Sequence, residues 1–375
     1  MPLTHSSLHI KQISLYALRI PLIEPFITSL GRDDDALNVV VKIQTKEGIT
    51  GFGECSPYMP INGESQETCM AIGSYFAKAL LNKDPLDIDG CLQLLDSIIY
   101  ANNSIKSAFD IALYDIASQA AAMPLWKFLN GDNSKIITTD YTVSIGEPDQ
   151  MAIDAKKILD QGYPAIKIKL GKNGKTDVLR MRAIREAVGP TVPLRIDANQ
   201  GWSVAEAIET LQALAPLHIE HCEEPISRFL YTSLPQVKKE SPIPIMADEC
   251  CGDHHDAARL IALDACDYFN IKLGKAGGIR NGLRIVRLAE AAGIKLQVGA
   301  MIESRLAMTA FAHFACSSPQ IVHYDFDTAL MFKQDPVSGG IRYEKNGVIQ
   351  LPEGPGLGAT IAEEWLQRME SIHLH

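Results

Sequence analysis

The chain has no Cys-x-x-Cys spacing, the feature most typical of zinc sites and redox-active disulfides. Its eight cysteines are scattered, and most lie inside apolar runs, at positions 55, 69, 91, 222, 250, 251, 266 and 316. We therefore interpret them as structural thiols of a protein in a reducing compartment.

Long apolar segments are also missing. No uninterrupted apolar run reaches the length needed to cross a bilayer. The N-terminus, MPLTHSSLHIKQISLYALRIPL, lacks the continuous apolar core of a signal peptide. Together these features predict a cytoplasmic protein that has no membrane partner.

Positive charge is in short supply, with 35 Lys and Arg against 45 Asp and Glu, for a net charge of −10. This balance argues against a nucleic-acid partner, because phosphate neutralisation needs clustered basic residues. An anionic substrate is still possible if a bound cation reverses the local sign of the potential. The length of 375 residues predicts one large domain and a smaller one.

The second part of the chain has the rhythm of alternating strands and helices. After Gly131, short apolar runs alternate with amphipathic stretches about every 25 residues, at 141–145, 165–170, 194–196, 219–222, 243–246, 268–273, 294–298 and 321–324. An open doubly wound sheet would begin with a Gly-rich phosphate loop, and none follows the first run. The pattern therefore predicts an α/β fold of the modified TIM barrel type, (β/α)7β, over residues 131–339.

The first part of the chain predicts a separate α+β capping domain over residues 1–130. Residues 8–20 and 38–45 alternate apolar and polar, and a turn at 46–48 predicts a hairpin. The spacing is helical from about 65 to 128. A loop-rich C-terminal segment, roughly 340–375, is expected to complete this domain.

Charged residues lie at the predicted strand ends, although barrel strands are buried on both faces. The C-terminal ends of barrel strands are where active sites are built. The charges in question are Lys167, Lys169, Asp197, Glu223, Asp248, Lys272, Asp325 and Asp327.

Lys167 and Lys169 are two positions apart on one strand, so both side chains point to the same side, which we expect to be the barrel interior. Two adjacent ammonium groups depress each other's pKa, which prepares one of them to act as a base. The alternative is that both lysines extend towards solvent from a strand end. His221, His254 and His255 are weaker candidates for a base or a ligand.

Asp197, Glu223 and Asp248 supply three carboxylates from three successive strands. A hard divalent cation such as Mg²⁺ takes carboxylate oxygens and keeps other positions for water or substrate. Any one of these acids could instead cap a helix N-terminus. We predict Glu223 rather than Glu224 as the ligand, because a strand end directs only one of the pair inward.

The motifs together resemble the muconate lactonizing enzyme branch of the enolase superfamily. They are Lys-x-Lys at 167–169, Asp-x-Asn at 197–199, Glu-Glu-Pro at 223–225, Ala-Asp-Glu at 247–249 and Lys-x-Gly-Lys-x-Gly-Gly at 272–278. The resemblance implies that Asp197, Glu223 and Asp248 bind Mg²⁺. It also implies that Lys169 and Lys272 are the acid/base pair on opposite faces of the substrate, with Lys167 tuning Lys169 and helping to hold a carboxylate.

A narrower resemblance points to the dipeptide epimerases. Asp325-Phe326-Asp327 and Asp140-Tyr141-Thr142 are similar to the family's pattern, which implies that Asp325 and Asp327 hold the α-ammonium of a dipeptide and that Thr142 touches it. Solvated loop acids are the alternative interpretation of the two aspartates.

The capping loops near 25–31 and 58–64 are expected to cover the side chain of the second dipeptide residue. They offer an apolar set that includes Phe26 and Ile61. Members of the family that act on Ala-Glu carry an arginine where Gly31 aligns, although a shift of one residue would bring in Arg32. The sequence therefore predicts Ala-hydrophobic dipeptides.

Two other functions remain open at this point. An o-succinylbenzoate synthase or muconate cycloisomerase would keep the same acids and lysines, but its substrate has no ammonium group for Asp325 and Asp327. A non-catalytic metal-binding barrel would be expected to have lost some of the lysines. The small-molecule substrate is the predicted partner, and a homo-oligomer is possible.

Overall fold

The structure, a computed structural model, describes residues 8–375. Residues 1–7 lie outside the described residues. They belong to the predicted capping domain and to the N-terminal stretch considered above for a signal peptide. No helix among residues 8–375 combines the length and apolar character needed to span a membrane.

The N-terminal part is an antiparallel sheet covered by helices. β1 (Ile10–Ile27), β2 (Arg32–Thr45) and β3 (Thr50–Cys55) pair in sequence order, and helices follow as α1 (Met59–Asn62), α2 (Gln66–Leu80), α3 (Ile88–Ile98), α4 (Asn103–Ala120) and α5 (Leu125–Phe128). Gly53 of β3 touches α4 so closely that an added Cβ would lie 1.9 Å from the Ala108 carbonyl oxygen. The sheet therefore packs directly on the α4 backbone, a close approach that glycine permits.

All eight predicted barrel strands are present and parallel. After the short β4 (Ile137–Thr138) they are β5 (Tyr141–Val143), β6 (Ile166–Lys169), β7 (Leu194–Asp197), β8 (Ile219–Glu223), β9 (Ile245–Ala247), β10 (Tyr268–Ile271), β11 (Lys295–Val298) and β12 (Ile321–Tyr324). Their order in the sheet is their order in the chain. The sheet curls, and the Asp140 amide donates to the Tyr324 carbonyl oxygen at 3.3 Å, which joins its first and last strands.

Helices connect these strands and pack on the outer face of the sheet. They are α6 (Pro148–Asp160), α7 (Gly174–Val188), α8 (Val204–Leu214), α9 (Leu234–Glu240), α10 (His254–Ala262), α11 (Leu273–Ala276), α12 (Ile279–Ala292) and α13 (Arg305–Ala315). In α12 the buried residues Ile279, Ile285, Val286 and Ala289 follow helical spacing, so one stripe faces the strands. Short 3₁₀ turns cover Ala215–Leu217, Arg228–Ser233, Thr328–Met331 and Lys345–Gly347.

The C-terminal segment returns to the first sheet. It contains β13 (Val337–Gly339), β14 (Arg342–Tyr343), β15 (Val348–Gln350), β16 (Ala359–Ile361), α14 (Glu363–Leu366) and β17 (Ser371–Leu374). β17 pairs antiparallel with β1. The exact domain boundaries stay a prediction. All eight cysteines are free and buried.

Two buried acids from the N-terminal part attach it to the helices of the larger part. Asp110 of α4 accepts hydrogen bonds from the Ile279 and Arg280 amides at 2.6 and 3.2 Å. Glu54 of β3 accepts from the Ser304 amide at 2.9 Å. Both carboxylates meet helix N-termini, where the macrodipole favours negative charge, so they fix the cap above the strand ends.

Candidate active site

Five consecutive strands of the curled sheet each bring one charged group to the same edge. In sheet order they are Lys169 at the end of β6, Asp197 at the end of β7, Glu223 at the end of β8, Asp248 after β9 and Lys272 after β10. All five are buried. Parallel strands end at a common edge, which is why residues about 25 apart in the chain meet here.

The two lysines stand at the two ends of the row of carboxylates. Lys169 Nζ is 2.6 Å from Asp197 Oδ2, and Lys272 Nζ is 2.8 Å from Asp248 Oδ2. Lys167 lies one layer deeper and bridges Glu223 Oε2 at 2.8 Å and Asp197 Oδ2 at 3.5 Å.

The predicted mutual depression of the lysine pKa values is wrong for Lys167. Burial lowers the pKa of Lys167, but the nearby carboxylates of Asp325, Glu223 and Asp197 outweigh burial and raise it well above its usual value. The pKa of Lys272 is also raised, because Asp248 outweighs burial. Lys167 and Lys169 are neighbours of each other, but acids also surround them.

The three carboxylates suit a magnesium ion in type and charge. Burial and the Asp197 charge raise the pKa of Glu223 to about 7, so negative charge is crowded here. Asp248 Oδ2 has an ionic contact with Lys272 but no hydrogen bond. Among residues 8–375 no three acidic, histidine or cysteine side chains form a group that could hold a metal ion. Ammonium groups contact oxygens of Glu223 and Asp248. The donor set is all oxygen, as Mg²⁺ prefers, and a dication would compete with those ammonium groups.

Glu223 and Glu224 face different directions, as expected. Glu223 points inward and accepts a hydrogen bond from Asn270 Nδ2 at 2.8 Å. Glu224 has a left-handed backbone, with φ of 35°, and its carboxylate accepts from the Asp248 amide at 2.7 Å and from Cys250 Sγ at 3.3 Å. Cys250 therefore helps to hold the carboxylate that supports the Asp248 backbone.

Sequence reasoning missed Lys275 as part of this site. Its buried ammonium group lies 2.5 Å from Asp248 Oδ1 and also contacts the Asp248 carbonyl oxygen. Lys272 and Lys275 together lower the pKa of Asp248 despite its burial. The signal was available in the motif: Lys275 is three residues after Lys272, one turn along α11, and so returns to the same side.

Asp325, Asp327 and Thr142 meet where the first and last strands join. The Thr142 amide donates to Asp327 Oδ2 at 2.7 Å, while Asp327 Oδ1 is buried without a hydrogen-bond partner. Asp325 accepts from Lys167 Nζ at 2.7 Å. Asp140, from the same sequence pattern, pairs with Arg195 instead. Asp140 Oδ1 is also buried without a partner, but of these three acids Asp325 and Asp327 line the cavity and Asp140 does not.

A cavity of about 310 Å³ lies between the strand ends and the cap. Lys169, Lys272, Asp325, Asp327 and Thr142 line its floor. Its cap side is lined by the predicted Phe26 and Ile61, together with Leu30, Tyr58 and Met59. The Phe26 ring covers Lys169, with Nζ 5.7 Å from the ring centroid.

Both capping segments are tied to loops of the larger part. Ser29 Oγ donates to the Asn199 carbonyl oxygen at 2.8 Å. The Arg228 guanidinium donates to the Ile61 and Pro60 carbonyl oxygens at 2.6 and 2.8 Å. These contacts hold the cap over the cavity.

The alternative that Arg32 restores a cation to the pocket is wrong. Arg32 is exposed and pairs with Asp34 at 2.8 Å, outside the cavity. Lys169 and Lys272 are the only lysine or arginine side chains among the described residues that line the cavity.

Comparison with known proteins gives the same picture. The family model for the mandelate racemase/muconate lactonizing enzyme N-terminal domain matches residues 12–130, and the enolase C-terminal domain-like model matches residues 150–365. The D-Ala-D/L-Ala epimerase of Cytophaga hutchinsonii is 54% identical over 97% of this chain and 99% of its own length.

Two solved structures are close relatives. The crystal structure of the dipeptide epimerase from Cytophaga hutchinsonii with Mg and D-Ala-L-Val has a TM-score of 0.97 and 53% identity, and the match covers 98% of this chain and all of that one. The dipeptide epimerase from Enterococcus faecalis with Mg and L-Leu-L-Tyr has a TM-score of 0.91 and 37% identity, over 94% of this chain and 99% of that one.

Proposed function

Since the chain belongs to the mandelate racemase/muconate lactonizing enzyme family of the enolase superfamily, we propose that it is a magnesium-dependent dipeptide epimerase. The observation that carries this proposal is the row Lys-Asp-Glu-Asp-Lys on five consecutive strand ends. Two relatives with bound Mg and dipeptide support it.

In this proposal Asp197, Glu223 and Asp248 hold Mg²⁺. When bound, the ion supplies positive charge that stabilises the enediolate formed from a substrate carboxylate, whose α-proton is otherwise barely acidic. Lys275 and Asn270 position Asp248 and Glu223, respectively.

Lys169 and Lys272 are proposed to carry the α-proton. They lie at opposite ends of the carboxylate row, so a carbon held above that row would have one ammonium or amine group on each side. One lysine removes the proton, and the other delivers a proton to the opposite face, which inverts the configuration. Lys167 helps to hold the substrate carboxylate in the deeper layer.

The reacting residue is the second residue of the dipeptide, because it carries the α-carboxylate. The α-ammonium group of the first residue is assigned to Asp327, whose Oδ1 has no other partner, with Asp325 and Thr142 beside it. A cycloisomerase or o-succinylbenzoate synthase substrate has no cation for these acids, so that alternative is not favoured.

The second side chain is proposed to lie under the cap, against Phe26, Leu30 and Ile61. Burying an apolar side chain there is favourable by roughly 1.5–3 kcal/mol. Burying a glutamate carboxylate without a cationic partner costs several kcal/mol. Ala-hydrophobic dipeptides are therefore the proposed substrates, and the cytoplasm stays the predicted location.

A dipeptide library tests the proposal. Ala-Val and Ala-Leu should be epimerised with a higher kcat/KM than Ala-Glu, as measured by chiral chromatography. Chelation should abolish turnover, and Mg²⁺ should restore it. If no dipeptide in the library is converted with Mg²⁺ present, the proposed function is wrong.

A further inference from the structure

The tip of the β1–β2 hairpin presents a carboxylate to the cavity. In the antiparallel register Phe26 is opposite Asp33, and Ile27 is opposite Arg32. Directly opposed residues lie on one face of a hairpin, and the next pair lies on the other face. Phe26 and Asp33 therefore both line the cavity, whereas Ile27 and Arg32 do not.

Asp33 differs from its two acidic neighbours on β2 because no cation neutralises it. Asp34 pairs with Arg32 at 2.8 Å, and Asp35 pairs with Arg19 at 2.8 Å. Within residues 8–375, no lysine, arginine or histidine nitrogen lies within 4.0 Å of the Asp33 carboxylate.

Tyr58 lines the cavity together with Asp33. Asp33 is half-buried, and burial raises its pKa. Burial and the negative charge of Asp33 raise the pKa of Tyr58 to about 12, so the phenol stays a donor. The cap side of the cavity thus presents the Asp33 carboxylate beside an apolar wall. Of the other acids that line the cavity, Asp35 pairs with Arg19, Glu64 accepts from the Ser104 amide, and Glu67 is exposed.

The two cations of the cavity are at its other side. Lys169 and Lys272 contact Asp197 and Asp248 at the strand ends, and the Phe26 ring lies over Lys169. A long side chain that runs from the strand ends along Phe26 would therefore end near Asp33.

We propose that Asp33 makes the cap side of the cavity selective for the charge at the end of the second residue's side chain, an inference that rests on the proposed function. Short apolar side chains fill the wall without reaching Asp33. Among long side chains, one that ends in a cation is preferred over a neutral side chain of similar length, and one that ends in a carboxylate is rejected. The long side chains selected in this way have an apolar stem and a positively charged end, and they extend the proposed Ala-hydrophobic class.

Three dipeptides that differ at the end of the second side chain test this inference: Ala-Lys, Ala-norleucine and Ala-Glu. In the wild type, kcat/KM should be about three- to tenfold higher for Ala-Lys than for Ala-norleucine, because one partly screened charge pair contributes about that much. The lowest kcat/KM of the three is expected for Ala-Glu. Asp33→Asn should remove the preference for Ala-Lys and raise kcat/KM for Ala-Glu. The matched control Asp34→Asn, on the outer face, should keep the wild-type order.

The outcomes separate this inference from the proposed function. If Ala-norleucine is epimerised and Ala-Lys is no better, or if Asp33→Asn keeps the wild-type order, charge selection by Asp33 is wrong and the epimerase proposal stands. If none of the three, nor Ala-Val, is epimerised, both are overturned.

Discussion

The strand ends and the cap form the two sides of one cavity, but they are built in different ways. At the strand ends, each charged group is fixed by a buried parallel strand whose neighbouring strands are also buried. Asp197 and Glu223, for example, are register partners on adjacent strands. On the cap side, Asp33 and Phe26 sit at a hairpin tip, and Ile61 sits in a segment held by Arg228.

This difference separates the residues proposed to carry out the reaction from those proposed to select the substrate. Side chains on rigid, buried strands hold their geometry well, which proton transfer requires. Loops tolerate changes of sequence and carry recognition. Changes at the strand ends should therefore remove the chemistry, whereas changes in the cap should alter which dipeptide is used.

The largest effect is expected from the two lysines. Lys169→Ala or Lys272→Ala should lower net epimerisation by at least about a thousandfold, because each removes the acid/base group of one face. Each variant should still exchange the α-proton of one isomer with deuterium from solvent, as measured by NMR. Full turnover by Lys272→Ala would refute the two-base mechanism.

The two adjacent glutamates should differ in metal binding. Glu223→Gln should weaken Mg²⁺ binding by about a hundredfold or more, because it removes a charged ligand, while Glu224→Gln should weaken it about tenfold through the support of Asp248. Isothermal titration with Mg²⁺ measures both. A larger loss in the Glu224 variant would mean that the ligand was assigned to the wrong residue.

Asp327→Asn should impair binding of the first residue. Losing a charged partner for the ammonium group should raise KM about ten- to a hundredfold. An N-acetyl dipeptide is the matched control, because it has no ammonium group and should respond little to the substitution. Equal losses for both substrates would argue against the assigned role.

The smallest effect is expected at the cap, from Arg228. Arg228→Lys keeps the charge but cannot donate in the forked geometry to Pro60 and Ile61. We expect KM to rise about two- to tenfold, the range for one or two hydrogen bonds, with kcat largely kept. A fall in kcat alone would place Arg228 in the chemistry instead of in the cap.

The same difference decides what the sequence could predict. The eight strands were predictable because apolar runs repeat at even spacing, and the meeting of Lys169, Asp197 and Glu223 follows from strand ends sharing an edge. Their roles stay predictions. The ion pairs around Lys167 were not predictable, because Asp325 lies 158 residues away and only the closed sheet brings it near.

The cap was less predictable because its side chains depend on hairpin register. Residues 25–31 were expected to form a covering loop. In the structure β1 extends to Ile27, and a turn in which the Thr28 amide donates to the Gly31 carbonyl oxygen leaves only Thr28 to Gly31 at the tip. Shifting the register by one residue would exchange the faces of the hairpin on which Arg32 and Asp33 lie. Neither the alternation of the strand nor its composition reveals which of them faces the cavity.

The position of deuterium in the product tests the central claim most directly. A dipeptide such as Ala-Val would be incubated with the enzyme and Mg²⁺ in deuterated water, and the product analysed by NMR and fragment mass spectrometry. Epimerisation through the two lysines predicts deuterium at the α-carbon of the second residue only, together with inversion at that carbon. Deuterium at the first residue, or inversion without exchange, would contradict it.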